Sequence, residues 1–360
     1  MSAESSRLTA GKPCLPPFSK EQQRFLLEGL LRNVSRSFYL TLRVLPKEIR
    51  RQISLAYLLA RTSDTIADTK AVAKPNRIER LRTLADMISH FGGSVPAMIS
   101  ADSISDVGGG AASGATSEDQ LLQRLPECLQ LLASFVPEDR ERTNRLLQII
   151  ISGQIFDLEK FPSESERDLI ALTNDEELDR YTYMVAGCVG EFWTRMCLAH
   201  LPAMQNWNAE KMCELGVRFG KGLQLVNVLR DIPRDLRIGR CYLPVAQPQE
   251  LLNPANYDAI RAEYDQWLDR AVEHLVAGWE YTMQIPASLW RLRLACIWPI
   301  WIGLKTIAQL RTGNPLDPAH RIKVSRGEVY RLMAHSFLIV RSDAALNRAF
   351  RKLHDPAACH

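Results

Sequence analysis

Apolar residues recur at three- and four-residue steps along most of the chain. FLLEGLLRNVSRSFYLTLRVLP (25–46), EIRRQISLAYLLARTSDTIAD (48–68) and LPECLQLLASFV (125–136) carry this spacing. So do RTNRLLQIIISGQIFDLEKF (142–161), MCELGVRFGKGLQLVNVLRD (212–231) and YDQWLDRAVEHLVAGWEYTM (264–283). That period is one face of a helix, and no convincing series of alternating strands intervenes. The pattern predicts an all-α fold, a single large helical bundle around a central cavity.

One stretch breaks the pattern. FGGSVPAMISADSISDVGGGAASGATSE, residues 91–118, is rich in Gly, Ser and Ala and reads as a flexible insert between two helices. The longest apolar run, LACIWPIWIGL (294–304), lies between Arg293 and Lys305 and contains Pro299. It is about half the length needed to span a bilayer and reads as a core helix kinked by proline. The expected organisation is a polar N-terminal extension (1–20), one domain (21–345) and a C-terminal tail (346–360).

Composition narrows the function classes. The 360 residues are 46% apolar and 24% charged, as in ordinary globular proteins. Net charge is +4, too small an excess to point to nucleic acid. The 8 cysteines form no Cys-x-x-Cys pair and the 7 histidines no metal-binding spacing, so free thiols and no histidine-based metal site are expected. The first twenty residues lack an apolar leader core. The expectation is a cytoplasmic protein without a transmembrane helix, with peripheral contact at the inner membrane left open for product release.

Two helices carry paired carboxylates. In RTSDTIADT, Asp64 and Asp68 stand four apart, stacked on one helix face about 6 Å apart along the axis. Alone, such a pair is commonly solvated surface. GLQLVNVLRDIPRDLRIGRCYLP (222–244) repeats it with Asp231 and Asp235, among Arg230, Arg234, Arg237 and Arg240. Gln224 and Asn227 precede them on nearly the same face. Two such helices facing each other would make a ring of four carboxylates suited to Mg²⁺, which combines a few carboxylates with water and phosphate oxygens. Arginines would grip the phosphates directly. Carboxylates and arginines together point to a metal-bound diphosphate; a surface salt-bridge network is the competing explanation.

Two weaker signals accompany them. SRSF (35–38) offers the Ser35 hydroxyl and the Arg36 guanidinium to an anionic oxygen. In YTYMVAGCVG (181–190), the small residues Ala186, Gly187 and Gly190 would either open room for a long apolar substrate or let helices pack closely. Tyr181 and Tyr183 bring phenols to the same region.

These motifs, in this order and rough spacing, resemble the squalene and phytoene synthase family of head-to-head prenyl synthases. The resemblance runs from about Asn33 to about His335. It implies the all-α isoprenoid synthase fold and a cavity for two prenyl diphosphates, usually farnesyl or geranylgeranyl diphosphate. It places Asp64, Asp68, Asp231 and Asp235 at Mg²⁺-binding positions and Ser35, Arg36, Arg61 and Arg230 at diphosphate-binding positions. Tyr181 matches a tyrosine near the reacting carbons, and Gln224 and Asn227 match site-lining residues. The C-terminal stretches CIWPIWIGLKTIAQL and RIKVSRGEVYRLMAHS look most like squalene synthases. There Lys323 matches a residue assigned to the NADPH phosphate, with Arg326 standing in where Ser325 departs from the family's basic residue.

The implied activity is that of a farnesyl-diphosphate farnesyltransferase. Two farnesyl diphosphates condense with Mg²⁺ to presqualene diphosphate, which NADPH reduces to squalene, serving sterol or hopanoid biosynthesis. The alternatives are a condensation-only synthase making dehydrosqualene, phytoene or presqualene diphosphate, and an inactive member acting as an assembly factor. Tyr181 or the released diphosphate would take the proton lost on cyclopropane closure. LACIWPIWIGL and the Val185 to Val189 stretch are candidates for the wall that keeps water from the cations. Two departures stand out. Ala67 replaces the family's usual acid, and Pro233, between Asp231 and Asp235, is expected to end or bend its helix.

Overall fold

The computed structural model describes residues 18–35, 38–90, 116–319 and 322–354. Its principal helices are α1 (Lys47–Asp68), α2 (Lys74–His90), α3 (Pro137–Lys160), α4 (Cys188–His200), α5 (Ala209–Leu236), α6 (Tyr257–Gln284), α7 (Trp290–Thr312), α8 (Arg326–Ile339) and α9 (Asp343–His354). Shorter helices fill the connections.

The apolar stripes decide the packing. α1 buries Ile49, Ile53, Leu55, Leu58, Leu59 and Ile66 on one side and leaves Asp64 and Asp68 at its rim. α3 lies against α1, α2 and α4, while α5 packs along α4, α6 and α7. Burying each leucine or isoleucine contributes about 1.5–3 kcal/mol, so these faces fix where the rims sit. Two apolar clusters result, one centred on α1–α4 and one on α5–α9.

Glycines set the closest approach. A Cβ on Gly190 of α4 would lie 1.8 Å from the carbonyl oxygen of Gly216 on α5, and one on Gly220 would lie 2.2 Å from that of Ala186. The small residues of YTYMVAGCVG thus let two helices touch backbone to backbone. Just before α4, Tyr183–Gly187 forms a π-helical turn.

Pro233 neither ends nor breaks α5, which continues to Leu236. Proline removes the donor that would serve the carbonyl four residues back, that of Leu229. The buried Tyr264 hydroxyl of α6 donates to that carbonyl at 3.1 Å. Pro299 likewise lies within the continuous α7. The run around it is buried core (Leu294, Ile297, Ile300, Trp301), and none of its residues lines the cavity beside Asp64 described below.

A two-residue parallel bridge follows α5, with Ile170 opposite Arg240 and Ala171 opposite Cys241. Gly239 enters it with φ of +78°, a conformation open to glycine. This bridge holds Arg240 and Tyr242 beside the end of α3.

The segment boundaries shift at three places. Residues 1–17, 91–115 and 355–360 lie outside the described residues. Ser19 and Thr116 each form capping boxes, so helices begin at Lys20 and at Ser117, inside the stretches expected to be extension and insert. Within the expected tail, the described residues 346–354 are helix. Leu346 and Phe350 of α9 are buried one turn apart, and Phe350 stacks on Trp279 at 4.4 Å. No helix among the described residues is long and apolar enough to cross a membrane.

Candidate active site

A cavity of about 270 Å³ opens beside the last turns of α1. Asp64, Ala67 and Asp68 line it from α1, Gln154 and Asp157 from α3, and Gln224 from α5. Tyr181, Val185 and Arg240 complete the polar and apolar walls with Ile150 and Leu158. Four of the expected positions, Asp64, Asp68, Tyr181 and Gln224, therefore meet in one cavity, where they are joined by Asp157, a carboxylate that sequence patterning did not single out.

The carboxylates are held in different ways. Asp64 accepts a 2.6 Å hydrogen bond from Gln154 Nε2 and lies 3.8 Å from Arg61. Burial pushes its pKa up to about 6, with Arg61 opposing and Asp68 adding to the rise. Asp235 is pushed up to about 7 by burial and by Asp231, against Arg234 and Arg240. Its charge is felt by Tyr181 and Tyr242, which places it at the edge of the same site. Asp231 is engaged by Arg230 at 2.5 Å.

Asp157 organises the inner wall. It is 8% exposed, accepts a 2.6 Å hydrogen bond from the Tyr242 hydroxyl and pairs with Arg240 at 2.6 Å. Tyr242 stacks on Tyr181, with ring centroids 4.7 Å apart and planes at 20°. Burial, reinforced by the charge of Asp157, holds the Tyr181 phenol far above its ordinary pKa. Tyr181 therefore keeps its proton in this setting. A signal for Asp157 existed: Gln154 and Asp157, three apart, interrupt the apolar run Ile149–Leu158 on one helix face.

The other expected residues sit apart from the cavity lining. The Ser35 hydroxyl is buried and turned back onto the carbonyl of Leu31, the common local bond of a helical serine. Arg36 lies outside the described residues. Arg61 is drawn to Glu118 at 3.1 Å. Asn227 is exposed and reaches Gln224 at 3.5 Å. Lys323 and Arg326 are exposed at the start of α8.

Do these residues fit a divalent cation? Among the described residues no three acids, histidines or cysteines converge closely enough to hold one by themselves. A hard cation bridged to phosphate needs only one or two carboxylates, the rest being water and substrate oxygens. The donors are oxygen, and the buried Oε1 of Gln154 has no partner beside Asp64. The set fits a cation that arrives with a diphosphate.

Residues 31–328 match the profile of the squalene/phytoene synthase family. A bifunctional lycopene cyclase/phytoene synthase of Gibberella fujikuroi is 27% identical over 262 residues, 68% of this chain and 40% of its own length. A 15-cis-phytoene synthase of Synechocystis sp. is 30% identical over 204 residues, 48% of this chain and 58% of its own. The matches thus span less than two thirds of these relatives. The solved complex of TcSQS with the ligand BPH1237 superposes with a TM-score of 0.71 at 17% identity, covering 92% of this chain and 91% of that one. That likeness is one of fold and agrees with the all-α reading. Four motifs in order, a cavity joining acids from separate helices and a profile match over most of the chain lead to one conclusion: this protein belongs to the squalene/phytoene synthase family.

Proposed function

We propose that the chain condenses two prenyl diphosphates head to head, and that the condensation-only, phytoene-type outcome is the first reading. The observation that carries it is the cavity in which Asp64, Asp68, Gln224 and Tyr181 meet. The phytoene synthase relatives support an outcome without a nicotinamide. This puts the alternative expected from sequence ahead of the squalene reading.

Asp64, Asp68 and Asp235 would hold Mg²⁺ together with diphosphate oxygens, and the cation then supplies neutralisation of the leaving group's charge. Arg230 and Arg61 are presently drawn to Asp231 and Glu118; an incoming diphosphate competes for both guanidinium groups. Tyr181, with its proton firmly held, orients substrate as a donor and leaves proton removal to the departing diphosphate. Ile150, Leu158 and Val185 keep water from the allylic cation.

A second reading, squalene formation with NADPH, is favoured by the likeness of the C-terminal stretches to squalene synthases and by Lys323 and Arg326. Incubation with farnesyl or geranylgeranyl diphosphate and Mg²⁺, with and without NADPH, separates the two. Phytoene, dehydrosqualene or presqualene diphosphate regardless of NADPH supports the first reading. Squalene appearing only with NADPH supports the second. No condensed product under any condition refutes both and leaves the inactive assembly factor.

A further inference from the structure

The three most exposed large apolar side chains among the described residues lie on one helix. Leu338 is 81% exposed, Tyr330 61% and Phe337 59%. All belong to α8, whose one buried residue is Ser336. Tyr330, Ala334, Phe337, Leu338 and Arg341 follow at helical steps and form one outward stripe. A contiguous exposed apolar stripe marks a contact surface.

The stripe lies in a basic frame. Residues 322–354 hold seven Lys and Arg against two acids, a larger excess than the +4 of the whole chain. Both acids are engaged, Glu328 with Lys305 at 3.3 Å and Asp343 with Arg293 at 2.6 Å. Arg331 and Arg341 are exposed. Trp290 joins the two features: Phe337 packs edge-on against its ring at 5.7 Å, and Arg291 and Arg341 lie over it at 5.3 and 5.7 Å. Arg291 also reaches the carbonyl of Val44 at 3.2 Å, one turn from the exposed Leu40.

We propose that this face docks on an anionic lipid bilayer. Leu338, Phe337 and Tyr330 enter the acyl boundary, while Arg291, Arg331 and Arg341 meet the headgroups. Charge complementarity selects this occupant. A second copy related by a two-fold would set arginine against arginine. The purpose rests on the proposed function, since a hydrocarbon product belongs in a bilayer; the surface itself does not depend on it.

Flotation of the full chain with vesicles tests this. Vesicles of equal parts phosphatidylcholine and phosphatidylglycerol should carry the protein, vesicles of phosphatidylcholine alone should not, and salt should release it. Arg341→Glu should weaken binding about tenfold, and Leu338→Asp should abolish it, both with circular dichroism and melting like the parent. Equal binding to both vesicle types would overturn the proposal, as would unchanged flotation of folded Leu338→Asp. So would a parent dimer that binds no vesicles and becomes monomeric in Leu338→Asp. None of these readouts requires catalysis, so they stand or fall apart from the proposed reaction.

Discussion

Tyr242 donates a 2.6 Å hydrogen bond to Asp157 across 85 residues of sequence, and its ring carries Tyr181 stacked on it at 4.7 Å. The Arg240–Asp157 ion pair anchors the arrangement. Tyr242→Phe keeps the stack and the ion pair and removes the hydrogen bond to Asp157. It should lower turnover by up to about 10²-fold through misplacement of Tyr181, with KM little changed. Steady-state kinetics showing a raised KM and unchanged turnover would contradict this positioning role. Asp157→Ala, which leaves the partly buried Arg240 without its carboxylate, should cost about 3 kcal/mol of stability in denaturant unfolding.

The raised acids make the cation-free protein sensitive to pH. Asp64 and Asp235 move from the ordinary 3.8 to about 6 and about 7. Between those values the folded chain binds more protons than the unfolded one, so stability falls as pH rises through the window. The accessible part of Asp64 (its side chain is 48% exposed) is screened by solvent, so Asp235 should dominate the slope. Thermal melts at about pH 5 and about pH 8 should show a higher midpoint at the acid value, and Asp235→Asn should flatten the difference. Divalent cation affinity should rise with pH over the same window, because the ionised form is the ligand.

The hydroxyl of Tyr264 substitutes for the missing amide of Pro233 at the Leu229 carbonyl. Tyr264→Phe should therefore destabilise the protein by about 1–3 kcal/mol, the cost of leaving a buried acceptor unmade. Adding Pro233→Ala restores a backbone donor and should recover part of that loss. A double-mutant cycle with purely additive effects would show that the two residues act independently.

Gly190 and Gly216 meet with no room for a side chain. Gly190→Ala places a methyl 1.8 Å from a backbone oxygen, which cannot rotate away. The helices must separate, at a cost of about 3 kcal/mol or more. Chemical denaturation should register it, whereas Gly29→Ala, whose nearest neighbour is 3.7 Å away, should leave stability nearly unchanged or higher.

Much of this was legible in the chain. Helical periodicity at 48–68 and 212–231 specified α1 and α5, and the repeated four-residue spacing drew attention to Asp64, Asp68, Asp231 and Asp235. What stayed hidden depends on partners far away in sequence. Pro233 looked like a breaker because Tyr264, 35 residues beyond Leu229, was not visible as its compensation. Asp157 looked like one acid on an amphipathic helix until folding brought Tyr242 and Arg240 to it. Ser35 looked available to an anion, but a helical hydroxyl bonds first to its own preceding carbonyl. The Leu346–Phe350 pair was short enough to pass as tail, and only Trp279 gives it a surface to pack on.

Diphosphate release from geranylgeranyl or farnesyl diphosphate, in the parent and in Asp64→Asn, measures directly whether the Asp64 cavity ionises a prenyl diphosphate with help from a divalent cation. Release that requires Mg²⁺, stops on chelation and is lost in a normally folded Asp64→Asn protein is the predicted result. Asp64→Asn turning over at the parent's rate would contradict the assignment of this cavity as the active site.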